Sequence, residues 1–231
     1  MQPTFMPWVG YMALMKAVDL FVFLDNVPFS PRSWQQRNQI LLNQKIKWIS
    51  LPIKTANKTE KILSSMLIAE EYNPTKHLKT IAHAYSKADR YQILSSDLQD
   101  AFENVPINLV DFNLRLIKLF CDDLGISTPA VRASEISGLC GRKADLIFSI
   151  LGAVGADEYL AVPGSVEYTR EAAERTKPSV KITGFTYTPV EYKQLSKDFV
   201  PYLSALDLMF NEGISRTTDL FEYETYSVWN P

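Results

Sequence analysis

The stretch from Gln2 to Asn38, QPTFMPWVGYMALMKAVDLFVFLDNVPFSPRSWQQRN, joins a rigid Pro-Trp-Gly turn, a short helix, a buried strand and an arginine-bearing loop. Pro3 and Pro7 fix φ and Gly10 permits a close backbone approach, so the segment ahead of the first helix is a shaped loop. Tyr11 to Ala17 reads as that helix. Leu20 to Leu24, LFVFL, is a continuous apolar run between Asp19 and Asp25, the pattern of a strand covered on both faces. Asp25 then stands at the strand's carboxyl end, and open α/β sheets bind ligands at that end of their strands.

Working outward, Lys47 to Lys54, KWISLPIK, is a second strand candidate, with Pro52 placing it at an edge or exit. From Pro74 to Leu124 the pattern turns helical: HLKTIAHAYSKA, LSSDLQDAFENV and NLVDFNLRLIKLFCDDLG carry apolar residues at three-to-four spacing. Asn73-Pro74 opens this region, Val105-Pro106 divides it and Gly125 suits its C-cap. A strand near Ala130 to Ala133, a helix from Arg142 to Val154 and a strand from Glu158 to Val162 follow. The expected fold is α/β: a three-layer, Rossmann-like, mainly parallel sheet with a helical insertion around 74–124, all in a single domain spanning 1–231.

Composition narrows the function. The 231 residues are 46% hydrophobic, enough for a sizeable core. No apolar run reaches the ~18 residues of a membrane span, and the N-terminus lacks the basic and apolar regions of a secretory signal. A formal charge of −2 and a pI near 5.8 leave no footprint for DNA. Cys121 and Cys140 make neither a disulfide framework nor a CxxC pair, which points to a reducing, cytoplasmic setting.

The block QPTFMPWVGYMALM, then VDLFVFLDNVPFSPRSWQQRNQI and WISLPI, closely resembles the opening of the WbqC-like proteins. That bacterial family is associated with O-antigen and other surface-polysaccharide gene clusters. GRKADLIFSILGAVGADEYLAVPGSVEY, the YKQL of Tyr192 to Leu195 and FVPYLSALDLMFNEG are similar to later family blocks in the same order. The resemblance implies a place in surface-polysaccharide synthesis, with an amino-sugar glycyl or acyl transferase as the implied activity.

Arg32 and Arg37 are phosphate-binding candidates: a guanidinium fork holds a diphosphate bidentately, and a helix starting near Gly10 aims free N–H groups at the same anion. Trp34 offers a stacking face. The alternative makes both arginines solvated loop charges and Trp34 a core residue. Neither GxxxxGK[ST] nor GxGxxG occurs. The order of turn, helix, strand and acidic residue is shared with nucleotidylyltransferases and adenylate-forming ligases, but their first-turn histidines are absent here. His77 and His83 lie in the helical region, six apart and without a metal motif, so no metal site is expected.

General-base candidates are Asp25, Asp145, Glu167 and Asp207. Asp25 leads, because a carboxylate at the end of an apolar strand is partly desolvated; as a plain turn former, Asp25-Asn26 would need no such role. Asp207 and Asn211, four apart, face one ligand if helical, or cap a C-terminal helix. Lys143 opens a helix, where a bound anion explains a cation better than helix stability does. Tyr159, Tyr168 and Tyr192 are hydrogen-bonding partners. No GxSxG elbow or Cys-His pair supports an enzyme nucleophile.

The resulting expectation is an acyl transferase or ligase acting on the amino group of a nucleotide-linked sugar. Asp25 serves as base and Asn38 orients the acceptor; Trp8, Gly10, Tyr11, Arg32, Trp34, Arg37, Lys143, Tyr159, Tyr168, Asp207 and Asn211 bind substrate. Trp8, Gly10, Asp25, Arg37 and Asn38 should line one pocket. The partners are a nucleotide-sugar and an activated acyl donor, with tRNA kept open as donor and no cofactor assigned. The alternative is a non-catalytic protein that binds or scaffolds a glycan or nucleotide-sugar in the same pathway.

Overall fold

In the computed structural model, which describes residues 1–54, 61–213 and 217–231, the chain is a mixed α/β protein. Helix α1 (Val9–Lys16) leads into strand β1 (Phe21–Phe23), and β2 (Arg37–Leu42) and β3 (Lys45–Ser50) form an antiparallel hairpin. Asn43 and Gln44 both adopt positive φ, 51° and 63°, the backbone a two-residue hairpin turn requires. Helices α2 (Pro74–Tyr85), α3 (Tyr91–Glu103) and α4 (Leu109–Leu124) make up the expected helical region. Asn73 caps α2 by accepting the Thr75 N–H at 3.0 Å, and Gly125 ends α4 at φ 65°.

The second half alternates: β4 (Ala130–Arg132), α5 (Ala144–Val154), β5 (Glu158–Ala161), α6 (Pro163–Thr176), β6 (Lys181–Thr186), α7 (Ala205–Asn211), α8 (Thr217–Leu220) and β7 (Glu224–Trp229). β1 pairs parallel to β4, β5 pairs parallel to β6, and β7 adds antiparallel to β6. The α/β class expected from the sequence holds. One continuous three-layer parallel sheet does not: among the described residues the strands bond as two two-stranded sheets and one three-stranded sheet. The break falls between β1 and β5, where a cleft of about 630 Å³ separates the two parallel pairs.

The segment after Pro31, expected as an arginine-bearing loop, instead runs into β2, whose Asn38 and Ile40 point into the core.

The helical region does not stand apart. One buried cluster takes in Phe5 and Met12 from the N-terminus, Phe102, Phe112 and Phe120 from α3 and α4, and Phe210 from α7. Phe102 meets Phe112 edge-on at 5.1 Å between ring centres, and Phe112 in turn packs against Phe5 at 6.2 Å. Arg90 ties three elements together: it grips Asp123 bidentately at 2.7 and 2.9 Å and donates to the Met209 carbonyl at 2.7 Å. Phe112→Ala, which empties the centre of this ring cluster, should lower stability by about 3–5 kcal/mol, read as a fall in the denaturant midpoint without change of slope.

Candidate functional site

The loop ahead of α1 is fixed from several directions at once. Asn38 donates from Nδ2 to the carbonyls of Phe5 (3.2 Å) and Met6 (2.7 Å), and Asn113 on α4 donates to Pro3 (3.2 Å) and to Gln35 (2.8 Å). Gln35 donates to the Gln2 side chain at 2.8 Å, the Phe5 N–H meets the Trp34 carbonyl at 2.9 Å, and the Ala205 N–H closes on Pro7 at 2.7 Å. Met6 is fully buried at φ 48°, a conformation rarely adopted by a side-chain-bearing residue, and these bonds hold it there. Thr4 Oγ1 and Asn113 Oδ1, on and beside this loop, carry no hydrogen bond among the described residues.

Asn38 is therefore a backbone clamp with its amide group buried inside the protein. Tyr11 is buried as well, its hydroxyl donating to the Gln2 carbonyl at 3.1 Å. Gly10 admits a side chain of the chain itself: a Cβ there would sit 2.3 Å from the Trp8 ring. The close approach expected at Gly10 is real, and its occupant is Trp8.

Asp25 lies at the end of β1 as expected and is fully buried. Its carboxylate accepts from Arg132 Nε (2.8 Å), the Ser134 N–H (2.8 Å) and the Ser134 hydroxyl (2.6 Å). Arg132 also reaches Asp111 on α4 at 2.9 Å. With those acceptor positions occupied, Asp25 joins β1, β4 and α4, and offers little room for a substrate amine.

Asp207 has a different environment. It lies in the first turn of α7, whose Ser204 cap accepts the Leu206 N–H at 3.2 Å. Its Oδ2 accepts from the Tyr192 hydroxyl (2.9 Å) and from Gln194 Nε2 (3.0 Å), while among the described residues Oδ1 has no hydrogen bond of normal geometry although the Tyr85 hydroxyl faces the carboxylate. Burial is the largest influence and raises the carboxyl to about 6, against the hydrogen bonds, which pull it down. Burial also drives the Tyr192 and Tyr85 hydroxyls well above the ordinary tyrosine range, so both stay protonated donors. Of the two roles expected for Asn211, a shared ligand with Asp207 or the tying down of a C-terminal helix, the structure shows the second: it donates to the Asp207 backbone carbonyl at 2.8 Å.

Tyr192, which donates to Asp207, also lines an aromatic crevice with Trp8, Tyr187, Phe199 and Tyr202, closed to about 10 Å³. Trp8 meets Tyr187 edge-on at 5.4 Å and Tyr202 at 5.5 Å. Tyr202 is 56% exposed and sits at φ 62°, so the outer wall of the crevice is also a strained one.

On the β2–β3 hairpin a second aromatic group faces solvent. Arg37 lies over the Trp48 ring at 4.3 Å, and Trp34, 46% exposed, packs on Trp48 at 5.2 Å. Gln39 lies between this platform and the crevice: it pairs with Trp48 across the hairpin, and its carbonyl takes the Ser204 N–H at 2.9 Å. Arg32 is exposed at φ 58°, its backbone N–H donating to the Gln36 side chain at 3.1 Å, and it shares no partner with Arg37 among the described interactions.

Lys143 is exposed at φ 51° before α5. Tyr159 shares a hydrogen bond with Ser165 at 3.2 Å and borders the large cleft, burial pushing its hydroxyl up to about 12; burial likewise raises Tyr168 nearby. None of these residues contacts Asp25 or Arg37 among the described interactions. His77 bonds the Tyr72 hydroxyl at 2.8 Å amid aromatic rings, and His83 is exposed. Among the described residues no group of three or more His, Cys, Asp or Glu is placed to hold a metal. Trp8 and Asp207 are linked through Tyr192, and among the described interactions neither contacts Asp25, Arg37 or Lys143. Tyr192, expected as a hydrogen-bonding partner, takes that role at Asp207, and Gln194, the third residue of the YKQL block, joins it without any signal in its local spacing.

The sequence pattern of the WbqC-like protein family matches residues 2–219. The chain belongs to that family. It is also 29% identical over 214 residues to Rv1507c of Mycobacterium tuberculosis, an uncharacterised protein, with 92% of each chain covered. No solved structure matches. The match spans both the clamped N-terminal loop and the Asp207 corner. No helix among the described residues is long and apolar enough to cross a membrane.

The Asp207 environment has a signature in stability. Its carboxyl holds a proton more tightly folded than unfolded, so its stabilising contribution is complete below the unfolded value of 3.8 and is lost as pH rises through about 6. Asp207→Asn should therefore flatten the stability–pH curve between pH 4 and 7 by up to about 3 kcal/mol. Denaturant melts of both proteins across that range test it; parallel curves would show that Asp207 does not titrate as described.

Proposed function

We propose that this protein transfers a glycyl or similar acyl group to the amino group of a nucleotide-linked sugar during surface-polysaccharide synthesis. The observation that carries the reading is the pairing of Tyr192, which lines the aromatic crevice, with a buried carboxyl raised to about 6. Such a carboxyl is mostly ionised near pH 7 yet basic enough to take up a proton, the balance general-base catalysis needs. Tyr192 borders the crevice and donates to Asp207, so it can relay: as the acceptor amine attacks the acyl carbonyl, its proton passes to the Tyr192 oxygen and the tyrosine's own proton moves to Asp207 Oδ2. The bond from the acyl carbon to its carrier breaks as the new amide bond forms. No enzyme nucleophile is needed, because the amine attacks directly.

Trp8 and Tyr202 supply ring faces for the sugar's C–H surface, and Tyr202 is the wall that moves to admit it. The Trp34–Trp48–Arg37 platform, joined to the crevice through Gln39, suits the base and phosphates of the nucleotide. Asp25, the base expected from the sequence, is assigned instead to holding β1 against β4. The same exposed platform also favours the second reading, a protein that binds the nucleotide-sugar and passes it on without chemistry.

The experiment incubates the purified protein with nucleotide-linked amino sugars and a panel of acyl donors and follows product by mass. Tyr192→Phe should lower turnover by about 10²–10⁴-fold with sugar affinity nearly preserved, because the relay acts in the transition state. Turnover unchanged in Tyr192→Phe removes the relay. Tight binding without product from any donor, abolished by Trp48→Ala, selects the binding reading.

A further inference from the structure

The interruption of the sheet has a defined shape. β1 bonds to β4 on one side and β5 to β6 on one side, and their other edges border the cleft of about 630 Å³. Along β5, the Asp157 carbonyl accepts the Lys181 N–H, and strand alternation then points the backbone groups of Glu158 and Leu160 away from β6, into the cleft. Along β1, the Phe21 N–H is used by the Pro129 carbonyl, so Val22 and Leu24 face the cleft. Two open strand edges bordering one cavity leave a row of backbone groups that water or another strand has to satisfy.

Met1 already occupies one end of this slot. Its nitrogen donates to the Val22 carbonyl at 2.8 Å, and its carbonyl accepts the Leu24 N–H at 2.8 Å. Bonding residues on either side of Phe23 in this way is the pattern of a parallel bridge, so Met1 runs alongside β1 in the same direction. Continuing it backwards passes Val22 and Leu20 on one side and Leu160 and Glu158 on the other, all of which line the cleft. Above and below are apolar side chains: Leu14, Ala17 and Val18 from α1 and its end, and Ile147, Ile150 and Leu151 from α5.

We propose that the slot is the seat of a parallel β-strand of about four residues, at ~3.3 Å each, joined to Met1 by a peptide bond in a longer form of this chain. The strand order becomes β4, β1, the added strand, β5, β6, β7: one sheet, parallel but for β7, with helices on both faces. Because both faces are covered, the added residues are apolar throughout, as in the centre of parallel sheets. The chemistry at Met1 supports the same occupant. A free ammonium buried there is pushed down to about 5 by desolvation, whereas a peptide N–H makes the same bond to Val22 with no charge to bury. The added strand also anchors the Gln2–Trp8 loop from its upstream end.

The test compares the chain as it stands with two versions extended before Met1, one by four valines and isoleucines and one by four aspartates and glycines. The apolar extension should raise Tm by about 5 °C or more and slow hydrogen exchange at the Glu158 and Leu160 amides by about tenfold or more, with the polar extension doing neither. Equal Tm and equal exchange for the two extensions overturn the proposal, as does protection by a free valine–isoleucine peptide without protection by the extension. These readouts need no substrate, so they are independent of the transferase reading.

Discussion

The clamping of the Gln2–Trp8 loop governs the rest of the molecule. Side chains from β2 (Asn38), from the turn before it (Gln35) and from α4 (Asn113), together with backbone from α7 (Ala205), converge on a single irregular segment. A segment this irregular cannot satisfy its own carbonyls, and once buried they have to be met by amides from elsewhere. Asparagine and glutamine provide that donor capacity without bringing a charge into the interior. The elements that hold the loop are consequently held by it. β2, α4 and α7 are distant in sequence, and sharing this loop adds to the direct packing of α7 on α4 and β2.

The loop also explains why Trp8 is where it is. Its backbone pairs with Ser204, Pro7 takes the Ala205 N–H, and Gly10 leaves space for its ring. The ring then closes over the start of α7, the helix that carries Asp207. One rigid segment thereby sets both the roof of the crevice and the depth of the carboxylate beneath it. Rigidity matters for the second of these: a desolvated carboxylate keeps a raised pKa only while its surroundings cannot relax to admit water.

What could be read from the sequence was local. β1 shows as an apolar run between aspartates, α4 as a three-to-four repeat ending at Gly125, and α2 through Asn73-Pro74, because each signal lies within the element it defines. β2 escaped for the opposite reason: RNQILL opens with three polar residues, and Asn38 points inward only because the carbonyls of Phe5 and Met6 wait for it. The carboxylates divide along the same line. Asp25 has the sequence context of a desolvated base, but its partner Arg132 lies 107 residues away and neutralises it. Asp207 looks like a helix-start residue, and becomes the unusual group only through Tyr192 and Gln194, 15 and 13 residues before it. Position along a strand identifies where a carboxylate sits, while its basicity is decided by which groups the fold brings to it.

The same distinction separates the two carboxylates as chemical agents. A buried carboxylate facing a guanidinium meets a full opposite charge, so the pair serves to fasten strands. A buried carboxylate facing only neutral hydroxyls and an amide has dipoles in place of a counter-charge, and the proton itself becomes the cheapest neutralising partner. Asp207 is of the second kind, and burial raises its carboxyl to about 6. The two carboxylates therefore differ in what faces them: Asp25 meets an arginine that joins β1 to β4, and Asp207 meets neutral groups at the start of α7.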